Sequence, residues 1–249
     1  MKIIWLSANQ LGYELLKEAS DLGISEIIIM TLKKNAKTTM YDGIDIEKWC
    51  EFGIEVFEIE MINEEVALIE KLNPDLMVVC GWRQIIKKEV LGIPRLGVIG
   101  FHPTLLPYGR GSAPIINTIL EGIKESGVTM YYLSEGLDDG DIIAQEKFSI
   151  DPIDHAQDVY MKVIKAGKVL VKQYLPLVIN QSAPRRPQDS SKVYIFKKPK
   201  LQDNKIDFEK DSIDNIYAKV RALSKPYKGA YIEKNGKRLI IWRAELKEI

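Results

Sequence analysis

The sequence predicts an α/β fold, in which a Rossmann-like, mostly parallel sheet is flanked by helices and is followed by a small C-terminal helix plus β-hairpin unit. Two observations support this. Short apolar runs alternate with helix-length amphipathic stretches through the first two thirds of the 249 residues, which is the pattern of strands joined by crossover helices. Near the end, Asn235-Gly236 lies between two β-prone runs, which is typical of a type I′ hairpin turn.

The apolar runs predict the strands in chain order. Five of them are expected to be parallel, with helices covering both faces of the sheet. They span residues 2–7, 26–31, 54–58, 75–80 and 96–101. Two more, at 127–134 and 141–150, flank a GLDDGD turn and are expected to extend the sheet in an antiparallel manner.

Helical spacing of apolar residues predicts the helices between these strands. The composition then shifts, because the stretch NQSAPRRPQ is rich in proline and arginine and reads as a linker. We therefore expect a catalytic domain over residues 1–182 and a small extension over 183–249. The predicted helices span 10–22, 64–72, 113–120, 155–178 and, in the extension, 212–223.

The composition limits the possible partners and the compartment. Lysine plus arginine equal aspartate plus glutamate at 35 each, so no global field draws nucleic acid or a membrane surface. The N-terminal apolar run is too short for a signal peptide or a membrane span. Cys50 and Cys80 form no metal-ligand motif, and Cys80 ends a buried run. We expect a cytoplasmic protein with small-molecule substrates, no metal, no membrane association and no nucleic-acid partner.

Two polar residues at predicted strand ends are the candidate acid–base pair. Ligands of open α/β sheets bind at the carboxyl ends of the strands, where the loops 7–10, 81–84 and 102–112 are expected to converge. His102 begins the last of these loops, and Asp138 lies in the GLDDGD turn. An imidazole beside a carboxylate can move a proton and stabilise a developing negative charge.

Each of these features also has a simpler interpretation. His102 could merely cap its strand, and GLDDGD could be only a tight turn, for which Asp and Gly are the expected residues. His155 is expected to cap a helix rather than to take part in catalysis. The first strand is followed by SANQLG, with a single glycine, so a dinucleotide site of the usual kind is not expected.

Two segments resemble the formyltransferase family that uses 10-formyltetrahydrofolate. They read HPTLLPYGRGSAPI and GVTMYYLSEGLDDGDIIAQ. The family signature is N-x-H-x-S/T-x-LP-x-x-RG followed by L-D-x-G about 36 residues beyond the histidine, and His102 and Asp138 fall on those positions. The resemblance extends from the first strand to about Trp242. It implies that His102 and Asp138 are catalytic and that 10-formyltetrahydrofolate is the co-substrate.

The resemblance also implies a folate pocket with two walls. The segment GWRQII aligns with the family loop whose backbone holds the pterin ring, and LDDGD supplies the other wall. Trp82 could instead be a core aromatic side chain. The implied cofactor-binding residues are Trp82, Arg83, Gln84, Ile85 and Ile86 on the first wall, and Leu137, Asp139, Gly140 and Asp141 on the second.

One position departs from the signature. Gly100 stands where the family has an asparagine whose amide is thought to hold the formyl oxygen. Glycine has no side-chain donor, and removing one such donor typically costs about 10²–10³ in rate. Either another group, such as Gln84, Asn9 or an ordered water, fills the role, or the chemistry is weakened or altered.

The C-terminal segment bears on the acceptor. Residues 193–232 resemble the tail of sugar N-formyltransferases, which implies formyl transfer to a nucleotide-linked amino sugar and a homodimer formed through the tail. Asn9 and Arg110 are the candidate acceptor-binding residues, although Arg110 could instead pin its own loop. The alternatives are a methionyl-tRNA formyltransferase-like activity, a hydrolase that releases formate from the folate, and a catalytically silent folate or nucleotide binder.

Overall fold

The computed structural model describes residues 1–24, 26–38 and 40–247, and it confirms the predicted α/β class. The strands are β1 (Lys2–Ser7), β2 (Glu26–Leu32), β3 (Glu55–Ile59), β4 (Leu76–Cys80), β5 (Val98–His102), β6 (Tyr108–Arg110), β7 (Glu125–Tyr132), β8 (Ile142–Ser149), β9 (Tyr194–Ile195), β10 (Ala230–Lys234) and β11 (Lys237–Ile241). The α-helices are α1 (Gln10–Ser20), α2 (Ile46–Cys50), α3 (Val66–Leu72), α4 (Lys88–Leu91), α5 (Pro114–Leu120), α6 (Ala156–Ile179) and α7 (Ile213–Leu223).

Seven strands form the main sheet, in the order β3-β2-β1-β4-β5-β7-β8. The first five are parallel, and β7 and β8 extend the sheet in an antiparallel manner, as the sequence predicts. Strand order reverses between β1 and β4, which places a crevice at their carboxyl ends. β5 ends next to that crevice, and His102 is its last residue.

Side chains that alternate along β1 explain why both faces of the sheet are covered. Ile3 and Trp5 belong to the larger core cluster, whereas Ile4 and Leu6 belong to the cluster on the other face. All four are fully buried, and burying one such side chain contributes about 1.5–3 kcal/mol. The sheet is therefore anchored along its central strands, so the loops at their ends are attached to a firmly packed base.

The predicted linker is joined to the sheet by hydrogen bonds. The N–H of Ile142 in β8 donates to the carbonyl of Arg186 at 2.8 Å, and the N–H of Arg186 donates back at 3.0 Å. A few residues later β9 pairs with β6, the short strand that follows His102. The segment thus runs along the site before the C-terminal unit begins, which its Pro- and Arg-rich composition does not reveal.

The C-terminal hairpin is present as predicted. β10 and β11 pair in antiparallel register with Lys234 opposite Lys237. The two residues between them, Asn235 and Gly236, have φ of 52° and 71°, the left-handed values that a type I′ turn requires. Within the described ranges, no helix is both long and apolar enough to cross a membrane.

Candidate active site

His102 and Asp138 are brought together from two strand ends. His102 closes β5, and Asp138 lies in the turn that joins β7 to β8. The Nδ1 atom of His102 is 3.7 Å from Oδ2 of Asp138, which is beyond hydrogen-bond length. Asp138 has a φ of 48°, a left-handed value that is uncommon outside glycine. The turn therefore holds an unusual backbone conformation at the residue that faces the imidazole.

The ring of His102 is oriented by its own loop. Its Nε2 lies 2.8 Å from the carbonyl oxygen of Gly109, and because a carbonyl only accepts, Nε2 carries the proton. A side chain at position 109 does not fit, since its Cβ would lie 2.7 Å from the ring of Phe196 and 2.8 Å from Thr104. This arrangement leaves Nδ1, which faces Asp138, as the nitrogen that can gain and lose a proton.

Both carboxylate oxygens of Asp138 accept a hydrogen bond. The hydroxyl of Tyr131 donates to Oδ1 at 2.7 Å, and the N–H of Gly111 donates to Oδ2 at 2.8 Å. Burial, together with the charge of Asp138, raises the pKa of Tyr131 well above its ordinary value. Sequence reasoning did not identify Tyr131, because only the pairing of β7 with β5 shows that its side chain points to the site.

The space beside Gly100 is already filled. A Cβ built on Gly100 would lie 2.5 Å from Cδ1 of Leu133 and 3.5 Å from the ring of Tyr131. The two side chains nominated from sequence to replace the missing amide are both engaged elsewhere. Asn9 accepts from the N–H of Gly12 at 3.1 Å and caps α1. Gln84 accepts from the N–H of Ile62 at 2.9 Å and donates to Glu60 and Thr38.

Gln188, a residue of the predicted linker, joins the two loops of the site. Its Oε1 accepts from Nε and Nη2 of Arg110 at 3.1 and 2.7 Å. Its Nε2 donates to the carbonyls of Asp138 and Gly140, each at 2.8 Å. Arg110 therefore holds its own loop in place through Gln188, which is the structural role that the sequence left open for it. Asn9 and Arg110 lie in separate groups of hydrogen bonds, because Asn9 donates to Asp42 instead.

The residues expected to form the first folate wall point in different directions. Ile86 is buried in the second core cluster, and Trp82 packs against that same cluster, as the interpretation of Trp82 as a core aromatic expects. Ile85 is 80% exposed. The side chain of Arg83 lies over the ring of Tyr41, 4.5 Å from its centroid. Ile85 is thus the most exposed apolar side chain of this loop, and Trp82 is partly buried.

The second expected wall is the turn that holds Asp138. Leu137 is 52% exposed, and Asp139 accepts a hydrogen bond from the hydroxyl of Ser134. Gly140 packs so closely on the carbonyl of Tyr132 that a Cβ would lie 1.8 Å from it. Asp141 is 3.6 Å from Nε of Arg185. Leu137 is therefore the exposed apolar side chain of this wall.

A group of cations and aromatic rings surrounds the loop that follows β2. Lys228 lies 5.6 Å from the centroid of Tyr41, on which Arg83 also packs. The ring of Tyr227 meets that of Tyr41 edge to face at 6.0 Å, and burial raises the pKa of Tyr227 above its ordinary value. The group joins the loop after β4 to the C-terminal segment, and no motif in the sequence marks it.

His155 and Cys80 have the structural roles that the sequence predicts. His155 is the N-cap of α6, where its N–H donates to Asp158 at 2.9 Å and its Nδ1 donates to the carbonyl of Ile153. Cys80 is fully buried, which raises the pKa of its thiol. Over residues 1–24, 26–38 and 40–247, no group of three or more potential ligand side chains could hold a metal ion.

Comparison with known proteins identifies the family. Residues 55–175 match the formyl transferase model, and residues 198–249 match the model of the formyl transferase C-terminal domain. The methionyl-tRNA formyltransferase of Lysinibacillus sphaericus is 36% identical over 79% of the chain, which spans only 63% of that relative's length. The corresponding protein of Macrococcus caseolyticus is 30% identical over 99% of this chain and 80% of its own.

The fold is also shared with a solved structure of lower sequence identity. The X-ray structure of a sugar N-formyltransferase from Shewanella sp FDAARGOS_354 superposes with a TM-score of 0.79 at 20% identity, covering 100% of this chain and 99% of its own. Both parts of the chain match a family model, and a relative that is 30% identical aligns over 99% of this chain. The chain belongs to the formyltransferase family.

Proposed function

We propose that the protein transfers the formyl group of 10-formyltetrahydrofolate to the primary amine of a nucleotide-linked amino sugar. The observation that carries the transfer chemistry is the facing pair of His102 and Asp138. Their 3.7 Å separation leaves them unbonded to each other, so each can interact with a reacting group between or beside them. Family membership supports the choice of formyl transfer among acid–base reactions.

The proposed step exchanges one bond for another at the formyl carbon. The acceptor nitrogen bonds to that carbon, the bond to N10 of the folate breaks, the amine loses a proton and N10 gains one. Nδ1 of His102 takes the proton of the amine, because Nε2 is committed to Gly109. The resulting imidazolium stabilises the oxyanion of the tetrahedral intermediate and is itself stabilised by Asp138. As the bond between the formyl carbon and N10 breaks, Nδ1 gives its proton to N10, and the neutral imidazole is restored. Positioned acid–base groups of this kind contribute about 10²–10⁴ in rate.

Two loops are proposed to hold the folate. The main chain of residues 82–86 faces the pterin ring on one side, and the turn at 137–141 lies on the other. Ile85 and Leu137 are the exposed apolar side chains of these loops, and burying them against a flat ring removes apolar area from water. Ile86 and Trp82 support the first loop from the core side.

The group formed by Tyr41, Arg83 and Lys228 is evidence for an acceptor that carries both a negative charge and an aromatic base. A guanidinium pairs well with phosphate oxygens, and an aromatic face that already attracts cations can also stack on a base. We therefore propose that this group receives the nucleotide portion of the acceptor. The fold shared with a sugar N-formyltransferase and the net charge of zero are consistent with a small acceptor.

Methionyl-tRNA is the second candidate acceptor. The observation that favours it is the 36% and 30% identity to methionyl-tRNA formyltransferases. Such an acceptor would extend far beyond the crevice and would need a broad basic surface. The equal numbers of acidic and basic residues supply no overall excess of positive charge for it.

An acceptor panel tests the proposal. The protein is incubated with 10-formyltetrahydrofolate and, in parallel, with several nucleotide-linked amino sugars, with methionyl-tRNA, or with no acceptor. Products are followed by mass spectrometry. We expect one amino-sugar nucleotide to gain a formyl group in step with tetrahydrofolate release. Formylated methionyl-tRNA would support the second candidate, formate without a formylated product would support a hydrolase, and folate binding without turnover would support a silent binder.

Lys228→Ala tests the location of the acceptor. If Lys228 faces the nucleotide phosphates, its loss raises the KM for the acceptor about tenfold and leaves the KM for the folate unchanged. Lys234→Ala, an exposed lysine at the hairpin turn, is the matched control and should change neither value. If Lys228→Ala changed the KM for the acceptor no more than Lys234→Ala does, the assignment would be contradicted.

A further inference from the structure

We propose that Tyr131 is a positioning residue, whose hydroxyl holds Asp138 in the orientation that faces His102. This inference rests on the proposed function, since it concerns the same reaction. It goes beyond that function by assigning a role to a side chain outside the two motifs. It also explains how the site is organised around a glycine at position 100.

The sheet register places Tyr131 on the same side as the catalytic pair. Gly100 pairs with Tyr131 across β5 and β7, and His102 follows Gly100 by two residues on β5. Because side chains alternate along a strand with a period of two, the side chains of Tyr131 and His102 project from the same face. Asp138 lies above that face, where it meets both of them.

Asp138 is fixed through two separate hydrogen bonds. The hydroxyl of Tyr131 holds Oδ1, and the N–H of Gly111 holds Oδ2, which is also the oxygen nearer to His102. A carboxylate held at one oxygen can rotate about its last bond, whereas one held at both cannot. Without Tyr131, the bond from the N–H of Gly111 would be the one hydrogen bond left on this carboxylate among the residues that the structure describes.

The surroundings of Tyr131 suit a donor that stays neutral. The side chain is buried against Leu106, Ile142 and Leu133, and this burial raises its pKa well above the ordinary value. The hydroxyl therefore keeps its proton at neutral pH and donates a hydrogen bond to the carboxylate. A donor of this kind stabilises the ionised form of its acceptor.

Other side chains near the crevice are not placed for this role. The amide of Asn9 bonds to Gly12 and Asp42, and that of Gln84 bonds to Ile62, Glu60 and Thr38. Leu133 fills the room beside Gly100 and offers no donor. Among the described residues, the side-chain donor that hydrogen-bonds to Asp138 is Tyr131. Tyr131 of β7 thus contributes a hydroxyl, and Leu133, the residue just after β7, fills the space where the signature would have an amide on β5.

Tyr131→Phe removes the hydroxyl and keeps the ring. We expect kcat to fall about 10- to 100-fold, the range expected for one hydrogen bond to a charged group, while the KM for folate and for acceptor changes less than about threefold. The matched control is Tyr132→Phe, the neighbouring tyrosine on the other face of the strand, whose ring packs on Arg185. That variant should retain the wild-type kcat.

A double-mutant cycle tests whether Tyr131 acts through Asp138. If it does, Tyr131→Phe causes little further loss of rate in an Asp138→Asn background. A full, additive loss in that background would overturn the proposed role. Thermal unfolding of each variant reports whether the fold is retained, and the cycle uses only variants that unfold at temperatures near the wild type.

A second readout does not depend on activity. The chain has two histidines, so ¹⁵N-histidine NMR gives two sets of ring signals, and His155→Gln assigns them. We expect Tyr131→Phe to shift the ring-nitrogen signals of His102, because Asp138 turns away from Nδ1, and Tyr132→Phe to leave them unchanged. Unchanged His102 signals in Tyr131→Phe would overturn the inference. If no acceptor is formylated, the proposed function fails, but this comparison still decides the role of Tyr131.

Discussion

At the scale of single residues, the site depends on which side chains occupy the face of β5 and β7. Gly100 has no Cβ, and the Cδ1 methyl group of Leu133 lies close to where that Cβ would be. The absence of the signature asparagine is therefore part of a local packing arrangement. An asparagine at position 100 would have to displace the side chain of Leu133 before its amide could occupy the site.

Gly100→Asn is accordingly expected to be harmful by itself. Its Cβ would lie 2.5 Å from Leu133, and overpacking of this kind typically costs about 1–3 kcal/mol. We expect a lower unfolding temperature and no gain in kcat. In the double variant Gly100→Asn/Leu133→Ala, stability should recover and kcat should rise about tenfold or more if the amide can then hold the formyl oxygen. A rate gain in the single variant without loss of stability would contradict this packing argument.

Asp138→Asn separates charge from backbone geometry. Asparagine tolerates the left-handed conformation that residue 138 adopts at φ 48°, so the turn should persist. We expect kcat to fall about 10²–10⁴-fold with an unfolding temperature within a few degrees of the wild type. Glu135→Gln, which changes an exposed carboxylate in the same connection between β7 and β8, is the control and should retain most of the activity. Equal losses in the two variants would contradict a specific role for Asp138.

The sequence identifies residues that belong to a motif, but not their supporting partners. His102 and Asp138 could be predicted because each lies at a strand end within a recognisable segment. Tyr131 could not, because its contact depends on the register between β5 and β7. Asn9 and Gln84 looked available in sequence, yet Asn9 caps the helix that follows it. Their other partners, Asp42 for Asn9 and Ile62 for Gln84, are brought near only by the fold.

At the scale of elements, long patterns are predictable and short ones are not. The five parallel strands and α6 follow from buried runs and from sustained helical spacing. The elements α2, α4, β6 and β9 have five residues or fewer and, unlike the equally short β4 and β5, do not stand out as apolar runs. β6 and β9 matter for the site, since their pairing fastens residues 194–195 beside the loop of His102.

Gln188, which precedes β9 on the chain, connects this segment to the site by hydrogen bonds. It accepts from Arg110 and donates to the carbonyls of Asp138 and Gly140. We expect Gln188→Ala to loosen the turn of Asp138, to lower kcat several-fold and to raise hydrogen exchange at residues 138–141. Gln173→Ala, on the exposed face of α6, is the matched control. Exchange at 138–141 that is the same in both variants would show that Gln188 does not hold the turn.

At the scale of the whole molecule, the sheet is held at its amino end by a carboxylate. Asp75 accepts from the N–H of Lys2 at 2.7 Å and from Nε of Arg95 at 2.6 Å. The hydrogen bond from Lys2, followed by that from Arg95, lowers the pKa of Asp75 below its ordinary value. A lowered folded-state pKa contributes stability above the ordinary pKa and loses it as the pH falls through the folded value.

The wild-type protein should therefore lose stability on acidification through this carboxylate. We expect the unfolding temperature to fall between about pH 5 and pH 2, and to fall less steeply in Asp75→Asn, which is already weakened at neutral pH. Asp21→Asn, at the exposed C-terminal end of α1, is the control and should follow the wild type. Parallel pH curves for wild type and Asp75→Asn would contradict the role assigned to Asp75.

The central claim is that His102, positioned at the end of β5, carries out formyl transfer. The most direct measurement is the single-turnover rate of tetrahydrofolate release and acceptor formylation in His102→Gln and in His155→Gln, with folate affinity measured in both. The account predicts that His102→Gln binds folate but loses transfer by about 10²-fold or more, and that His155→Gln transfers at the wild-type rate. Near-normal transfer by His102→Gln would contradict it.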